Sequence, residues 1–257
     1  MHFIVAAFLL FTLTACSSQP QLNADNEKKI ASAEEMYSDA KKSLNDKNYE
    51  SAIKKFESMQ SRYPYGRYAQ QGQLEIAYAF YKQNEPESAI AAANRFIKQY
   101  PNNKNVDYAY YLKGLADFHN ESGLLGLQGD PTERDPKAAQ DAFVAFKDLV
   151  TRFPDSKYAV DAKFRMQYLI NALARYEIHV AEYYQRRGAY IAAVNRAKEV
   201  LTLYPNSAST RSALQVLVKS YKAMGMDELS NDSQRILDMN FPEKPETPVN
   251  MFREQLN

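Results

Sequence analysis

The stretch ESAIAAANRFIKQYP, residues 87–101, carries the pattern that decides the fold. Ala89 stands twelve residues before Pro101, Phe96 stands five residues before it, and Tyr100 directly precedes it. Apolar residues seven apart lie on one face of an α-helix, and proline cannot continue a helix. The stretch therefore predicts a helix that buries Ala89 and Phe96 and ends just before Pro101.

The same register recurs five times along the chain. The aromatic residue and its proline are Tyr63-Pro64, Tyr100-Pro101, Phe153-Pro154, Tyr204-Pro205 and Phe241-Pro242. Twelve residues before each proline stands a small residue: Ala52, Ala89, Ala142, Ala193 and Ser230. Five residues before each proline stands a large apolar residue: Met59, Phe96, Leu149, Val200 and Leu237. A register that recurs in this way predicts a stack of equivalent units.

This register resembles the tetratricopeptide repeat (TPR), in which each unit is a pair of antiparallel helices. The resemblance is most complete in AYAFYKQNEPESAI, residues 77–90, and Gly188 and Gly225 occupy turn positions in repeats four and five. The chain has only 8 glycines, which also disfavours a strand-rich fold with many turns. We therefore predict an all-α, TPR-type α-solenoid of five helix-turn-helix repeats.

The intervals between successive repeat prolines are 37, 53, 51 and 37 residues, so two of them contain extra sequence. In the second interval, HNESGLLGLQGDPTERDP predicts an inserted loop at residues 119–136, because it holds several glycines and two Asp-Pro pairs. The third interval has no helix breaker between Lys157 and Arg187 and predicts one helix of about 45 Å. That helix joins repeats one to three, residues 30–154, to repeats four and five, residues 155–242. Residues 243–257 are expected to form a flexible C-terminal tail.

The N-terminal sequence predicts export and lipidation. Residues 1–15, MHFIVAAFLLFTLTA, are apolar but too few to span a bilayer, which is typical of a secretory signal peptide. The following LTAC, residues 13–16, resembles a bacterial lipobox, so Cys16 is expected to carry N-acyl and S-diacylglycerol lipid at the start of a tether, residues 16–29. Ser17 suggests sorting to the outer membrane. An unprocessed signal anchor with a coincidental cysteine is the alternative.

The sequence holds no recognisable catalytic constellation. His119 and His179 lack paired metal-ligand spacing, and Cys16 is the only cysteine. Asp135, which precedes Pro136, is expected to cap a helix that starts at that proline. With 32 basic and 31 acidic residues, the chain has no large net positive charge that would attract nucleic acid. We expect a binding scaffold, with no enzymatic activity, no metal and no cofactor beyond the lipid on Cys16.

SRYPYGRY, residues 61–68, is richer in tyrosine and arginine than the other four inter-repeat turns. Aromatic and arginine side chains are frequent anchors in binding surfaces. Tyr49 and Tyr63 fall at packing positions of the repeat, which favours a structural role for them. For Tyr65, Arg67 and Tyr68, packing and binding remain equally open.

Four stretches together resemble the BamD (ComL) family, lipoproteins of the outer-membrane β-barrel assembly machinery. They are RYPYGRYAQQGQLEIAYAFYK (residues 62–82), IAAANRFIKQYPNNKNVDYAYYLKGL (90–115), RDPKAAQDAF (134–143) and VAEYYQRRGAYIAAVNRA (180–197). The resemblance implies a protein on the periplasmic face of the outer membrane. It implies that C-terminal repeats bind a POTRA domain of BamA, that N-terminal repeats bind the targeting strand of unfolded outer-membrane proteins, and that BamC and BamE are further partners.

The resemblance also implies site residues. Arg196 matches a family arginine linked to the BamA contact and is expected to pair with a carboxylate, with Arg187 and Tyr190 assigned to the same contact. The substrate-signal region corresponds to Arg62, Tyr63, Tyr65, Gly66, Arg67 and Tyr68. We hypothesise that Arg62 or Arg67 binds the terminal carboxylate of the signal bidentately. The alternative functions are a generic periplasmic TPR adaptor lipoprotein that tethers cell-envelope enzymes and, with less support, an anchored hydrolase.

Overall fold

The structure is a computed structural model that describes residues 31–122 and 136–242. This part of the chain is helical, and no strand occurs within it. The ten helices are α1 (Ala33–Asn45), α2 (Tyr49–Arg62), α3 (Arg67–Lys82), α4 (Pro86–Gln99), α5 (Val106–Ser122), α6 (Lys137–Arg152), α7 (Ala159–Arg186), α8 (Tyr190–Leu203), α9 (Thr210–Ala223) and α10 (Asp227–Asn240). They form the five predicted pairs, so the all-α TPR-type fold is confirmed.

The helices stack in chain order. Each helix packs on the next, and the first helices of successive repeats also touch, α1 on α3, α3 on α5 and α7 on α9. Buried side chains form three clusters, in repeats one and two with the start of α5, in repeat three with the first half of α7, and in repeats four and five. Phe153 and Tyr204 each pack against two of these clusters, which makes the core continuous along the stack.

The residues of the repeat register are buried, as predicted. The five small residues are at most 6% exposed, and the five large apolar residues are at most 9% exposed. Each aromatic residue before a repeat proline is the C-cap of a second helix, with φ between −126° and −136° and ψ between 48° and 75°. The residue before a proline is excluded from the helical region, so these five helices end at the same position of the repeat.

The turn inside a repeat needs a left-handed residue. Gly188 and Gly225 have φ of 73° and 71°, and in repeats one and two the same turn is made by Lys47 and Asn84, each with φ of 61°. Glycine adopts this conformation without steric cost, whereas side-chain-bearing residues adopt it rarely. The prediction of turns at the two glycines is therefore confirmed.

Helix α7 is the predicted long helix. Its 28 residues span about 42 Å at 1.5 Å per residue, twice the length of α8 with 14 residues. Its first half buries Ala162 and Leu169 against repeat three, and its second half buries Ala174 and Ala181 against repeats four and five. One rigid helix thus belongs to both halves of the stack.

The boundaries of the inserted segment differ from those predicted. Helix α5 continues to Ser122, so residues 119–122 are helical instead of belonging to the loop. Helix α6 begins at Lys137, one residue later than predicted, and Pro136 is its N-cap instead of its first helical residue. Asp135 lies outside the described residues, as do the predicted signal peptide, Cys16, the whole predicted tether and residues 243–257.

Candidate functional site: two surfaces on one helical stack

The turn between repeats one and two contains one structural tyrosine. Tyr63 is half-buried, and its hydroxyl donates a hydrogen bond to the carbonyl oxygen of Ala31 at 2.9 Å. This bond ties the start of the described chain to the end of α2. The packing role expected for Tyr63 agrees with this contact.

The other residues of the turn face solvent. Tyr65 is 89% exposed, and Arg62 and Arg67 are exposed as well. Gly66, the N-cap of α3, has φ of 94° and ψ of −177°, a conformation that is essentially restricted to glycine. Because Gly66 gives the backbone this conformation, the side chain of the preceding Tyr65 is held away from the helical stack.

Arg67 and Tyr68 form a pair at the start of α3. Arg67 Nη2 donates to the Tyr68 hydroxyl at 2.6 Å, and its guanidinium carbon lies 4.6 Å from the centre of the Tyr68 ring. Tyr68 in turn lies 5.4 Å from the ring of Tyr37 on α1. The exposed turn is therefore connected by aromatic contact to the first helices of the stack.

Glu75 of α3 organises the next part of this surface. The Tyr37 hydroxyl donates to Glu75 Oε1 at 3.1 Å, and Lys41 Nζ lies 2.5 Å from the same oxygen. Burial and the nearby Glu75 carboxylate raise the pKa of Tyr37, so the hydroxyl stays protonated as a donor. Glu75 thereby holds one tyrosine and one lysine of α1 in place.

Beyond Glu75 lies an open groove lined by the first helices of three repeats, α1, α3 and α5, and by the turn from α1 into the start of α2. Its lining includes three tyrosines, three lysines and Glu75: Tyr49, Tyr78, Tyr108, Lys41, Lys47, Lys82 and Glu75. We call this set the tyrosine-lysine groove. With three ammonium groups and one carboxylate, it favours an anionic ligand.

Of these residues the sequence pattern singled out only Tyr49, for which it favoured a structural role, and the others were missed. The lining residues come from three parts of the chain, each more than 25 residues from the next, so no single stretch contains them all. The signal that could have found them is the repeat register itself. Side chains on the same face of successive first helices line one concave surface in a solenoid.

The aromatic surface continues to the start of α7. The Tyr108 ring lies 5.2 Å from Tyr158, which stacks on Tyr111 at 4.7 Å with an interplanar angle of 17°. The Tyr111 hydroxyl donates to Asp161 Oδ2 at 2.6 Å. Burial, and to a smaller extent this hydrogen bond, raises the pKa of Tyr111 to about 12. Tyrosine rings thus run along first helices from repeat one to the long helix.

The C-terminal surface holds a buried carboxylate. Arg196 Nη1 of α8 donates to Glu177 Oε2 of α7 at 3.0 Å, and Glu199 Oε2 lies 3.8 Å from the same nitrogen. Glu177 is only 8% exposed, and its burial raises the pKa of the carboxyl despite the charge of Arg196. Arg196 is therefore paired with a carboxylate of its own chain, while part of the guanidinium stays accessible.

Arg187 and Tyr190 lie together at the turn between α7 and α8. Arg187 is exposed, with its guanidinium carbon 5.3 Å from the centre of the Tyr183 ring. Tyr190 lines an open, mainly apolar hollow with Ile191, which is 68% exposed, and Met224. Arg196 lies in the middle of α8, six residues beyond Tyr190, and its side chain pairs with α7, so it faces a different neighbour from Arg187 and Tyr190.

Within residues 31–122 and 136–242, no group of three or more His, Cys, Asp or Glu side chains is arranged to hold a metal ion. His179 is half-buried on α7, as expected for a residue beside the apolar stripe. None of the helices in these ranges combines the length and the apolar character needed to cross a membrane.

Known proteins of one family are similar to this chain over most of its length. The family model described as YfiO, outer membrane lipoprotein, matches residues 29–236. The outer membrane protein assembly factor BamD of Neisseria gonorrhoeae is 42% identical over 247 residues, which cover 94% of this chain and 92% of that protein. BamD of Xylella fastidiosa strain 9a5c is 35% identical, covering 94% and 82%, and BamD of Vibrio cholerae is 33% identical, covering 92% and 96%.

Proposed function

The chain belongs to the BamD family of outer membrane protein assembly factors, and from this premise we propose a division of work between its two surfaces. The N-terminal repeats bind the C-terminal targeting strand of unfolded outer-membrane proteins. The C-terminal repeats bind a POTRA domain of BamA. The protein acts as a scaffold that promotes insertion of its substrates and performs no bond chemistry itself.

The observation that carries this proposal is the row of tyrosine side chains from Tyr68 to Tyr158, whose two groups of rings meet around Glu75. An extended targeting strand presents apolar side chains on alternate positions and ends in an aromatic residue with a free carboxylate. Tyrosine rings offer flat apolar area at low entropic cost, and their hydroxyls can bond the strand backbone. A concave surface of this kind suits an extended chain better than a compact ligand.

Two places along this surface suit the terminal carboxylate. Arg67 or Arg62 can bind it at the exposed turn, where Tyr65 adds an accessible ring. Lys47 and Lys82 can bind it in the tyrosine-lysine groove, where Lys41 is already paired with Glu75. Arginine forms a bidentate pair with a carboxylate, whereas lysine acts as a point charge. Substitutions at the two places therefore distinguish them.

The C-terminal surface supports docking of a larger partner. Arg187 and the accessible part of Arg196 provide charge, and Tyr190 with Ile191 and Met224 provides an apolar hollow beside them. Buried aromatic and arginine anchors with an apolar surround are characteristic of interface hot spots. We assign this end of repeat four to BamA. BamC and BamE, where they are present, are additional partners.

Anchoring completes the proposed function. Cys16, processed to the mature N-terminus and carrying N-acyl and S-diacylglycerol lipid, would hold the helical stack on the periplasmic face of the outer membrane. Stable anchoring needs more than one acyl chain, and a lipoprotein cysteine supplies several. Metabolic labelling with palmitate tests this step: label is expected on the wild-type chain and absent from a Cys16→Ala variant.

The test of signal binding uses the acylated full-length protein and a synthetic targeting-strand peptide in two forms, with a free C-terminal carboxylate and with a C-terminal amide. The free acid is expected to bind more tightly. A Lys47→Gln/Lys82→Gln variant and an Arg62→Ala/Arg67→Ala variant show which place holds the carboxylate, because only the correct one removes the preference. Lys54→Gln, on an exposed lysine paired with Glu50 on α2, is the matched control.

Equal binding of both peptides by every variant would contradict carboxylate recognition. Purification from detergent-solubilised outer membranes separately tests the BamA contact. BamA is expected to co-purify with the wild-type protein. Its absence, together with co-purification of cell-envelope enzymes, would instead support the generic adaptor.

A further inference from the structure

Helix α10 carries three exposed apolar side chains on one flank. Leu229 is 46% exposed, Ile236 is 44% exposed and Met239 is 74% exposed. At 3.6 residues per turn, side chains seven and ten positions beyond Leu229 lie within an arc of about 80° from it. We call these three residues the outer stripe of α10. It adjoins the buried face of the helix, which contains Ser230, Ser233 and Leu237.

The outer stripe is specific to the fifth repeat. Leu229, Ile236 and Met239 stand 13, 6 and 3 residues before Pro242. At these three positions the first four repeats have only polar, charged or alanine side chains. The position of Leu229 is taken by Ser51, Ser88, Asp141 and Ala192. That of Ile236 is taken by Ser58, Arg95, Asp148 and Glu199, and that of Met239 by Ser61, Lys98, Thr151 and Thr202. Equivalent positions face equivalent directions in a solenoid. The fold therefore does not require apolar residues there, and repeat five has them for another reason.

That reason is not a sixth stacked repeat. In the other second helices, the residues 11, 8 and 4 positions before the proline face the following repeat. In α2, for example, Phe56 and Gln60 stand 8 and 4 positions before Pro64, and both lie against Gly72 of α3. In α10 these positions are all polar and exposed: Asn231, Gln234 and Asp238. A terminal repeat with a polar end face closes a solenoid. The apolar stripe lies on a different flank from this polar end face.

We propose that residues 249–256 of this chain dock on the outer stripe of α10. Repeat five is the repeat that leads into residues 243–257, and this segment contains four large apolar residues: Val249, Met251, Phe252 and Leu256. An intramolecular segment occupies the stripe at high effective concentration. The docked segment replaces the flexible tail that the sequence alone suggested.

The connection has the length that docking requires. Residues 243–248 join Pro242 to Val249 and span at most about 20 Å, and α10 is about 21 Å long. The apolar residues can therefore reach any point of the stripe.

Trypsin provides a direct test on the full-length protein. The basic residues of 243–257 are Lys244, which precedes Pro245 and is therefore resistant, and Arg253, so loss of residues 254–257 in the intact mass reports access to this segment. An Ile236→Ser/Met239→Ser variant is expected to be cut after Arg253 about tenfold faster, which corresponds to about 1.4 kcal/mol of docking free energy. Val144→Ser, at a 54% exposed position of α6, is the control and should leave the rate unchanged.

A fluorescent probe distinguishes the possible occupants. The chain contains no tryptophan, so Phe252→Trp introduces a single emitter. Docking within the chain predicts blue-shifted emission at every protein concentration. Replacing Ile236 and Met239 should shift the emission to the red, while an unchanged far-UV circular dichroism spectrum shows that the helices remain folded. Three results would overturn the proposal. The first is an equal tryptic rate in all variants. The others are a blue shift that disappears on dilution, which indicates a second copy, and a blue shift that needs added BamA, BamC or BamE, which indicates a partner.

Discussion

Arg196 of α8 donates a hydrogen bond to Glu177 of α7 at 3.0 Å, and it is the charged partner of a carboxylate that is otherwise buried. The pair joins the two helices of repeat four. Arg196 therefore has a structural role in addition to any contact with a partner protein. Experiments on this arginine must separate the two roles.

We predict that Arg196→Ala lowers the free energy of unfolding by about 1–3 kcal/mol, because it leaves Glu177 buried without its partner. The loss should shrink as the pH falls, since protonation of Glu177 removes the buried charge. Urea unfolding at two pH values measures both effects. An Arg196→Ala/Glu177→Gln double variant should recover most of the stability, and a double variant as unstable as the single one would contradict the argument.

The same double variant then tests the BamA contact without a folding defect. Loss of BamA co-purification from the stable double variant would support direct recognition by Arg196. Normal co-purification would instead assign this arginine to the fold.

Asp117 of α5 gives a second prediction, about pH. It is 8% exposed, and burial with the neighbouring Asp141 and Glu87 raises its pKa to about 6, partly offset by Lys113 and Lys137. In the unfolded chain the same carboxyl titrates near 3.8. The folded state therefore binds this proton more tightly, and the resulting stabilisation is complete below pH 3.8 and is lost as the pH rises through about 6.

Asp117→Asn should accordingly raise the free energy of unfolding by about 1–2 kcal/mol near pH 7.5 and have little effect near pH 4. Thermal unfolding followed by circular dichroism across this range measures the difference. A variant that is destabilised equally at both ends of the range would show that the charged form makes contacts which outweigh its burial.

Gly114 gives a third prediction, on packing. A Cβ atom at this position would lie 2.6 Å from ring atoms of Phe146, which is completely buried. Gly114→Ala should therefore cost about 1–3 kcal/mol, because a well-packed ring cannot move away freely. Gly225→Asn is the control, since its surroundings are open and asparagine tolerates positive φ. Adding Phe146→Leu should recover part of the loss in denaturant unfolding, and no recovery would contradict the steric explanation.

The sequence predicted the parts of this protein that are set by short-range chemistry. Proline ends the second helices, small and large residues seven apart mark their buried face, and the absence of breakers predicted α7. These signals lie within one helix or one turn. The sequence left the role of Tyr65 open, and the exposure of its side chain beside Gly66 is known only from the structure.

The tyrosine-lysine groove depended on information of another kind. Tyr78 and Tyr108 stand 30 residues apart and line one surface only because first helices of successive repeats lie side by side. The pairing of Arg196 with Glu177 likewise depends on which faces of α7 and α8 meet. A local pattern could not predict these contacts, because they depend on the rotation of each helix about its axis.

The last prediction concerns the junction at the start of α7. Tyr158 stacks on Tyr111 and lies 5.2 Å from Tyr108, so its ring holds the N-terminus of the long helix against α5. Tyr158→Ala should lower the free energy of unfolding by about 2–4 kcal/mol through lost ring burial and packing. Tyr158→Phe keeps the ring and should cost less than about 1 kcal/mol. If the junction also aligns the two halves of the aromatic surface, Tyr158→Ala should weaken binding of the targeting peptide while BamA still co-purifies. Loss of both interactions together would mean that the substitution disrupts the whole stack.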